Sequence, residues 1–214
     1  MNYAIKEIFY SIQGEGAHAG TPMVFVRFAG CNIWSGREED RARHAQRGNC
    51  AAWCDTDFRG TDGPRGGRYS AEQLAIAVRE LWPSTGTAIA VLTGGEPLLQ
   101  ADAELVKIFT SRDIKTHVET NGSCVVPSGV SWVTVSPKPP ARVMGQHYDE
   151  VKLVLAAGID PSEYADLATY KFIQPLWVAD PVVAKRNTER AVNYVLANPG
   201  WRLGLQQHKI IEVQ

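Results

Sequence analysis

Seven apolar runs of strand length recur along the chain, and helical patterns or loops separate several of them. Alternation of this kind predicts a parallel sheet with helices packed outside it, so the expected fold class is α/β. The runs lie at 23–28, 87–92, 115–119, 131–135, 150–154, 171–173 and 201–205.

Two helices are predicted with defined ends. Ser70 and Gln73 have the spacing of a capping box, an apolar face follows over 71–82, and Pro83 ends the helix. A second helix is expected over 182–196, because the Asn-Pro-Gly sequence at 198–200 stops it. Since helical patterns are fewer than strands, and a full eight-unit barrel typically needs about 250 residues, we expect an incomplete TIM-type barrel.

The chain has 214 residues, 44% of them hydrophobic, which is enough for one substantial core, so a single domain over 1–214 is expected. Between about 31 and 69 the sequence becomes charged and rich in glycine. That stretch is interpreted as a long inserted loop rather than a linker between domains, because it carries two of the three clustered cysteines, Cys50 and Cys54.

Residues capable of chemistry follow the ends of five predicted strands. In α/β barrels and open parallel sheets the active site is built at the carboxyl ends of the strands, so these motifs should converge on one mouth. They are Cys31, the Thr-Gly-Gly-Glu-Pro motif at 93–97, Thr-Asn-Gly at 120–122, Ser-Pro-Lys at 136–138 and Gln-Pro at 174–175.

Three cysteines, Cys31, Cys50 and Cys54, crowd the first quarter of the chain. Three thiolates leave a metal site one ligand short, as in an iron-sulfur cube with one iron free for an outside ligand. A structural zinc site with His44 as fourth ligand, or simply buried thiols, are the alternatives. Because clustered cysteines in a reducing compartment are more often metal-binding than disulfide-bonded, Cys124 is expected to be a free thiol.

The formal net charge is -1, which provides no global attraction to nucleic acid or to an anionic membrane. A small polar molecule is therefore the expected partner. The first residues lack a basic segment followed by an apolar one, and no apolar run approaches the roughly 20 residues that span a bilayer. A cytoplasmic location is expected.

Taken together, the ordered motifs resemble the radical S-adenosylmethionine superfamily and, within it, the 7-carboxy-7-deazaguanine synthase family. The resemblance rests on the three cysteines with Trp53 before the last of them and on motifs that run from residue 3 to the end of the chain. Besides those named above, they are Gln-Gly-Glu-Gly at 13–16, Arg-Phe-Ala-Gly-Cys-Asn at 27–32, Cys-Asp-Thr-Asp at 54–57, Glu119, and Gln-His-Lys at 207–209. One departure is the gap of three residues between Cys50 and Cys54, where the family usually has two.

The resemblance implies a 4Fe-4S cluster held by Cys31, Cys50 and Cys54, with S-adenosylmethionine on the fourth iron. It also implies that reductive cleavage of this cofactor starts a radical reaction. Residues implied in binding the cofactor are Trp53, Cys54, Asp55, Gly94, Gly95, Glu96, Ser136, Pro137, Lys138, Gln174, Pro175, Leu176 and Trp177.

The substrate implied by the resemblance is 6-carboxy-5,6,7,8-tetrahydropterin, which is rearranged to 7-carboxy-7-deazaguanine with loss of ammonia, in deazapurine synthesis such as that of queuosine. Arg27 interrupts an apolar strand, which is costly unless the guanidinium meets an anion; an arginine facing the surface is the alternative. We count it with the cysteines among the catalytic candidates. The implied substrate-binding residues are Ile12, Gln13, Gly14, Arg27, Thr93, Glu119 and Gln214.

Thr56 resembles the family's magnesium ligand, and magnesium prefers oxygen ligands. An Asp-Thr turn without metal is the alternative.

The resemblance further implies a homodimer and an external electron donor. Two rival functions are kept: an activase of glycyl-radical enzymes, which would act on a partner protein, and a zinc-bound interaction module without catalysis.

Overall fold

The computed structural model describes residues 2–47, 50–156 and 159–213. Nine strands form one sheet in the order β3-β1-β2-β4-β5-β6-β7-β8-β9, and the two end strands do not pair with each other. Every pairing from β2 to β9 is parallel, while β1 runs antiparallel to both β2 and β3. The strands are β1 Tyr3–Ile12, β2 Pro22–Phe28, β3 Gly67–Tyr69, β4 Ala88–Gly94, β5 Ile114–Thr120, β6 Trp132–Val135, β7 Tyr148–Val154, β8 Ala168–Gln174 and β9 Arg202–Leu203. The expected α/β class with an open, mostly parallel sheet is confirmed.

Five α-helices accompany the sheet in the described part of the chain: α1 Glu38–Ala45, α2 Ala71–Leu81, α3 Ala103–Ser111, α4 Pro181–Ala197 and α5 Gln207–Ile210. The predicted capping box of α2 is present, with Ser70 and Gln73 each bonding the backbone of the other. Asp180 caps α4 by accepting from the amides of Val182 and Val183. None of the described helices is long and apolar enough to cross a membrane.

Two apolar cores lie on the helix-covered side of the sheet. The larger one packs α2 and α3 against β1, β2, β4 and β5, and it contains the fully buried Leu74, Val78, Leu105 and Phe109. The smaller one packs α4 against β6 to β9. Each large apolar side chain that becomes buried contributes roughly 1.5–3 kcal/mol, so these two layers keep the sheet rigid.

The sequence did not predict β1, although it is the longest strand. Its pairing with β2 shifts register between Ile5 and Glu7, so the buried positions do not follow one alternating pattern along the strand. The prediction for about 31–69 was also wrong in one respect, because this stretch is not only loop. It contains α1 and β3, and the acidic residues Glu38, Glu39 and Asp40 occupy the first turn of α1, where they favour helix formation.

Candidate active site

A cavity of about 510 Å³ opens at the carboxyl ends of the parallel strands. Ligand-binding clefts typically have volumes of about 300–1,000 Å³, so the cavity is large enough for a cofactor and part of a small substrate. Residues from all five motifs that follow strand ends line it, among them Cys31, Gly95, Asn121, Lys138 and Gln174. The predicted convergence on one mouth is therefore confirmed.

Cys31, Cys50 and Cys54 all line one wall of this cavity. Behind them lies a small apolar cluster around Trp34 and Phe58, whose rings meet edge to face at 5.8 Å. Burial raises the pKa of Cys31, and it raises the pKa of Cys50 to about 12, so both are thiols at neutral pH until a metal displaces the proton. Within the described ranges, no group of three or more His, Cys, Asp or Glu side chains is arranged to hold a single metal ion.

The segment between Cys50 and Cys54 is a short helical turn. The amide of Cys54 donates to the carbonyl of Cys50 over 2.7 Å, and the amide of Trp53 donates to the same oxygen over 3.0 Å. Residues four apart in a helical turn lie on the same face. The gap of three residues therefore directs both thiols to one side, and the departure from the usual family spacing does not separate them.

The Gly-Gly-Glu turn brings backbone close to the cysteine wall. Gly94 has φ of 116°, a conformation that favours glycine. A Cβ atom added to Gly95 would overlap the carbonyl oxygen of Gly30 and would lie 3.0 Å from the Cβ of Cys31. Glycine at 95 therefore lets the turn pack directly against the backbone of Gly30 and beside Cys31.

Glu96 lies behind the turn rather than on the cavity wall, and its side chain is fully buried. Its carboxylate accepts hydrogen bonds from the amide of Asn121 (2.7 Å), the hydroxyl of Thr120 (2.8 Å) and the amide of Leu98 (3.0 Å). Burial raises its pKa. Glu96 thus joins the turn after β4 to the end of β5. Its role is to hold the backbone of these two segments, because its side chain does not reach the cavity.

The remaining residues predicted to bind the cofactor surround the same opening. Lys138 lies over the ring of Trp53, with its Nζ 5.4 Å from the ring centroid, and burial lowers the pKa of Lys138. Pro137 is buried and does not reach the cavity. Those that line it are Trp53, Cys54, Asp55, Gly94, Gly95, Ser136, Lys138, Gln174, Pro175, Leu176 and Trp177.

A group of polar residues, here called the polar floor, lines the same cavity as the thiols. Glu119 is its centre: it accepts from the side-chain amide of Gln13 (3.0 Å) and from the hydroxyl of Thr93 (3.3 Å). Arg27 faces the cavity, and its Nε donates to Glu7 on the neighbouring strand over 2.7 Å. The anion that Arg27 required is therefore supplied by β1. Ile12, Gly14 and Thr56 line the cavity as well, and Gln214 lies outside the described residues.

Sequence reasoning missed a largely buried ion pair in the lining of the cavity, formed by Lys152 of β7 and Glu15. The Nζ of Lys152 also lies 3.7 Å from Glu119. Burial opposes the charge of Glu15, but Lys152 outweighs it and lowers the pKa of Glu15 to about 2. The two carboxylates overcome the burial of Lys152 in the same way and raise its pKa. The available signal was Lys152 itself, a charged residue in the middle of an apolar strand. The same reasoning had already singled out Arg27.

The segment that contains α5 closes one side of the cavity. The side-chain amide of Gln206 donates to Glu15 (2.8 Å), and the amide of Gln207 donates to the carbonyl of Gly14 (2.9 Å). Lys209 pairs with Asp55 at 2.5 Å and lies over the ring of Trp177. This segment therefore contacts both the predicted substrate side and the predicted cofactor side.

An open parallel sheet that carries three thiols and a Gly-Gly-Glu turn at its carboxyl edge defines the radical S-adenosylmethionine class of enzymes. The chain is 47% identical over 218 residues to the 7-carboxy-7-deazaguanine synthase of Bradyrhizobium diazoefficiens and 44% identical over 220 residues to that of Burkholderia multivorans; each alignment covers both chains completely. The crystal structure of QueE from Escherichia coli superposes with a TM-score of 0.70 at 26% identity, covering 97% of this chain and 95% of that one. No protein-family model matches the chain.

The chain belongs to the 7-carboxy-7-deazaguanine synthase family. This confirms the family that the motifs indicated, and it favours the synthase over the activase and the zinc module. Membership implies S-adenosylmethionine and a 4Fe-4S cluster. The residues present fit these groups, because three thiols line one wall and a glycine turn beside Cys31 leaves backbone exposed there.

Proposed function

We propose that this protein converts 6-carboxy-5,6,7,8-tetrahydropterin to 7-carboxy-7-deazaguanine with loss of ammonia, as a radical S-adenosylmethionine lyase. The observation that carries the proposal is the composition of the cavity, whose lining combines three thiols with a guanidinium, a carboxylate and an amide. Chemistry started at the thiols would act on a polar molecule held by these polar groups in the same cavity.

In this proposal Cys31, Cys50 and Cys54 hold the cluster through their sulfurs. When bound, the cluster supplies the electron that cleaves S-adenosylmethionine and starts radical chemistry. The exposed backbone at Gly94 and Gly95 receives the methionine amino group. Trp53 and the residues from Gln174 to Trp177 cover the adenosine and keep water away from it.

The polar floor binds and orients the substrate. Arg27 pairs with the substrate carboxylate, because a guanidinium offers two parallel donors to such a group. Glu119 and Gln13 present an acceptor and an amide to the hydrogen-bonding edge of the ring. Gln13 and Thr93 already hold the Glu119 carboxylate in place, so little side-chain conformational entropy is lost when the ring binds.

Magnesium is proposed to bind at Thr56. The hydroxyl of Thr56 lies on the cavity wall, and magnesium usually combines one or two protein oxygens with oxygens of the substrate and of water. Asp55 and Asp57 on either side line the same cavity and are paired with Lys209 and Lys6.

A homodimer, an external electron donor and a cytoplasmic location complete the proposal. Support for the dimer comes from the connections β5–β6, β6–β7 and β7–β8, which contain no α-helix within the described residues, so a second subunit can cover that side. Sedimentation velocity at micromolar concentration should give twice the mass of the chain.

The test is an anaerobic assay of reconstituted protein with S-adenosylmethionine, dithionite, magnesium and the tetrahydropterin, with the product identified by mass. Cys54→Ser should abolish activity, whereas Cys124→Ser should not, because Cys124 lies outside the cavity. Failure of the wild-type protein to consume the pterin would reject the synthase. Stoichiometric zinc without iron or sulfide would instead indicate the interaction module.

A further inference from the structure

Arg41 of α1 connects the inserted segment to the cysteine turn. One of its guanidinium nitrogens, Nη1, donates to the carbonyl oxygen of Ala51 over 2.6 Å and to that of Cys54 over 3.0 Å. The Nε of the same side chain donates to Glu38 over 2.7 Å. The cation thereby binds two backbone oxygens of the short turn at once.

The guanidinium is held in this position from a second side. Its central carbon lies 4.7 Å from the ring centroid of Trp34, a cation-π contact. Trp34 is 3% exposed, and its ring packs against Phe58. Arg41 is therefore fixed between the buried ring of Trp34 and the cysteine turn. An arginine that only provided an exposed charge on a helix would not need these contacts.

We propose that Arg41 is the positioning residue of the cysteine turn, so that α1 determines how firmly Cys50 and Cys54 retain their metal cluster. The proposal rests on the cysteine ligands assigned above. It explains why a charged insertion precedes the second cysteine: Arg41 of that insertion binds the carbonyl oxygens of Ala51 and Cys54, while the carbonyl of Cys50 accepts hydrogen bonds from within the turn.

The first arm of the test uses the full-length chain isolated without iron, and measures how fast maleimide alkylates each thiol. In Arg41→Met the side chain still covers Trp34 but has no donor, so the turn should open more often. Cys50 is 5% exposed and should react about tenfold faster, the size expected for losing one hydrogen bond to a charged group. Cys124, far from α1 in the chain, is the internal reference and should not change.

Arg43→Met is the matched control, because Arg43 lies on the same helix but pairs only with Asp40 at its surface. It should alkylate like the wild type, and Arg41→Lys should be intermediate, since an ammonium can replace part of the donor set. An unchanged rate at Cys50 in Arg41→Met would overturn the proposal. Equal acceleration in Arg41→Met and Arg43→Met would overturn it too, because the cause would then be helix stability.

The second arm follows the visible absorbance of the reconstituted cluster while a chelator removes iron. Arg41→Met should lose iron about tenfold faster than the wild type and Arg43→Met, again by the loss of one charged hydrogen bond. Faster alkylation without faster iron loss would refute the role in retaining the cluster. A wild-type protein that takes up no iron would reject the cysteine ligands themselves, while the alkylation arm would still decide whether Arg41 holds the turn.

Discussion

Lys152 and Glu15 form an ion pair in the lining of the cavity, although they lie 137 residues apart in the chain. Their side chains are only 7% and 13% exposed, so few waters solvate either charge. The pair joins β7 to the loop that follows β1, and the same Glu15 carboxylate receives Gln206 from the far end of the chain. Gln174 of β8 donates to it as well, over 3.3 Å, so four separate segments of the site meet at one carboxylate.

Replacing Lys152 by Met should destabilise the protein by about 3–5 kcal/mol, because it leaves the charge of Glu15 buried without its partner. Urea unfolding at neutral pH measures the change. The pKa of Glu15 falls from 4.5 to about 2 on folding, so the contribution of this carboxylate is complete above about pH 4.5 and is lost as the pH falls toward 2.

The double variant Lys152→Met with Glu15→Gln is the control for that measurement. It removes both charges and keeps the hydrogen-bonding oxygen for Gln206, so it should recover most of the lost stability. A double variant as unstable as the single one would mean that packing, not charge, is what Lys152 provides.

Glu150 should make stability depend on pH in the opposite direction. It is 2% exposed, and burial raises its pKa from 4.5 to about 7. The Glu150 carboxyl loses its proton near pH 4.5 in the unfolded chain and near pH 7 in the folded chain. The free energy of unfolding therefore falls by about 3 kcal/mol as the pH rises through this window. Glu150→Gln, which can still accept from the amide of Ala17, should remove that loss. Thermal unfolding of the wild type and of Glu150→Gln at several pH values between about 4.5 and 8 checks this prediction. A difference in stability between the two proteins that does not change with pH would contradict it.

The strands that form the parallel part of the sheet were predictable because each is a short apolar run, and five of the seven runs are followed by residues capable of chemistry. β1 was not, because the register shift near Ile5 breaks the alternation that marks a strand half-buried on one face. The α1 helix was also missed: in a stretch of charged and glycine-rich sequence it has no apolar face to reveal it, and none of its residues is buried.

Within the site, the residues that resembled family motifs could be named in advance, but their mutual contacts could not. Lys152 and Glu15 carry opposite charges, yet nothing in one sequence says that they face each other. Their pairing depends on how the loop after β1 returns across the sheet. Arg41 was hidden for the same reason, since its acceptors are backbone oxygens that leave no mark in the sequence.

Arg27→Met should lower kcat/KM about 10- to 100-fold, mainly through KM, because a hydrogen bond to a charged group contributes roughly 1.5–3 kcal/mol. The anaerobic assay over a range of pterin concentrations measures it. Since the substitution also removes the ion pair between Arg27 and Glu7, Arg27→Met with Glu7→Gln is needed as a control. If the double variant binds the pterin as well as the wild type does, Arg27 does not hold the substrate carboxylate.

Thr56→Val should raise the magnesium concentration needed for half-maximal activity by at least about tenfold, because it removes one oxygen from a site where few come from the protein. Valine has nearly the same shape, so the iron content and the binding of S-adenosylmethionine should stay as in the wild type. Thr61→Val, in the same loop but outside the cavity, is the matched control and should leave the magnesium response unchanged. A magnesium titration with the iron content measured on the same samples separates the two effects. If Thr56→Val and the wild type respond alike to magnesium, the ion binds elsewhere and Thr56 belongs to an ordinary turn between Asp55 and Asp57.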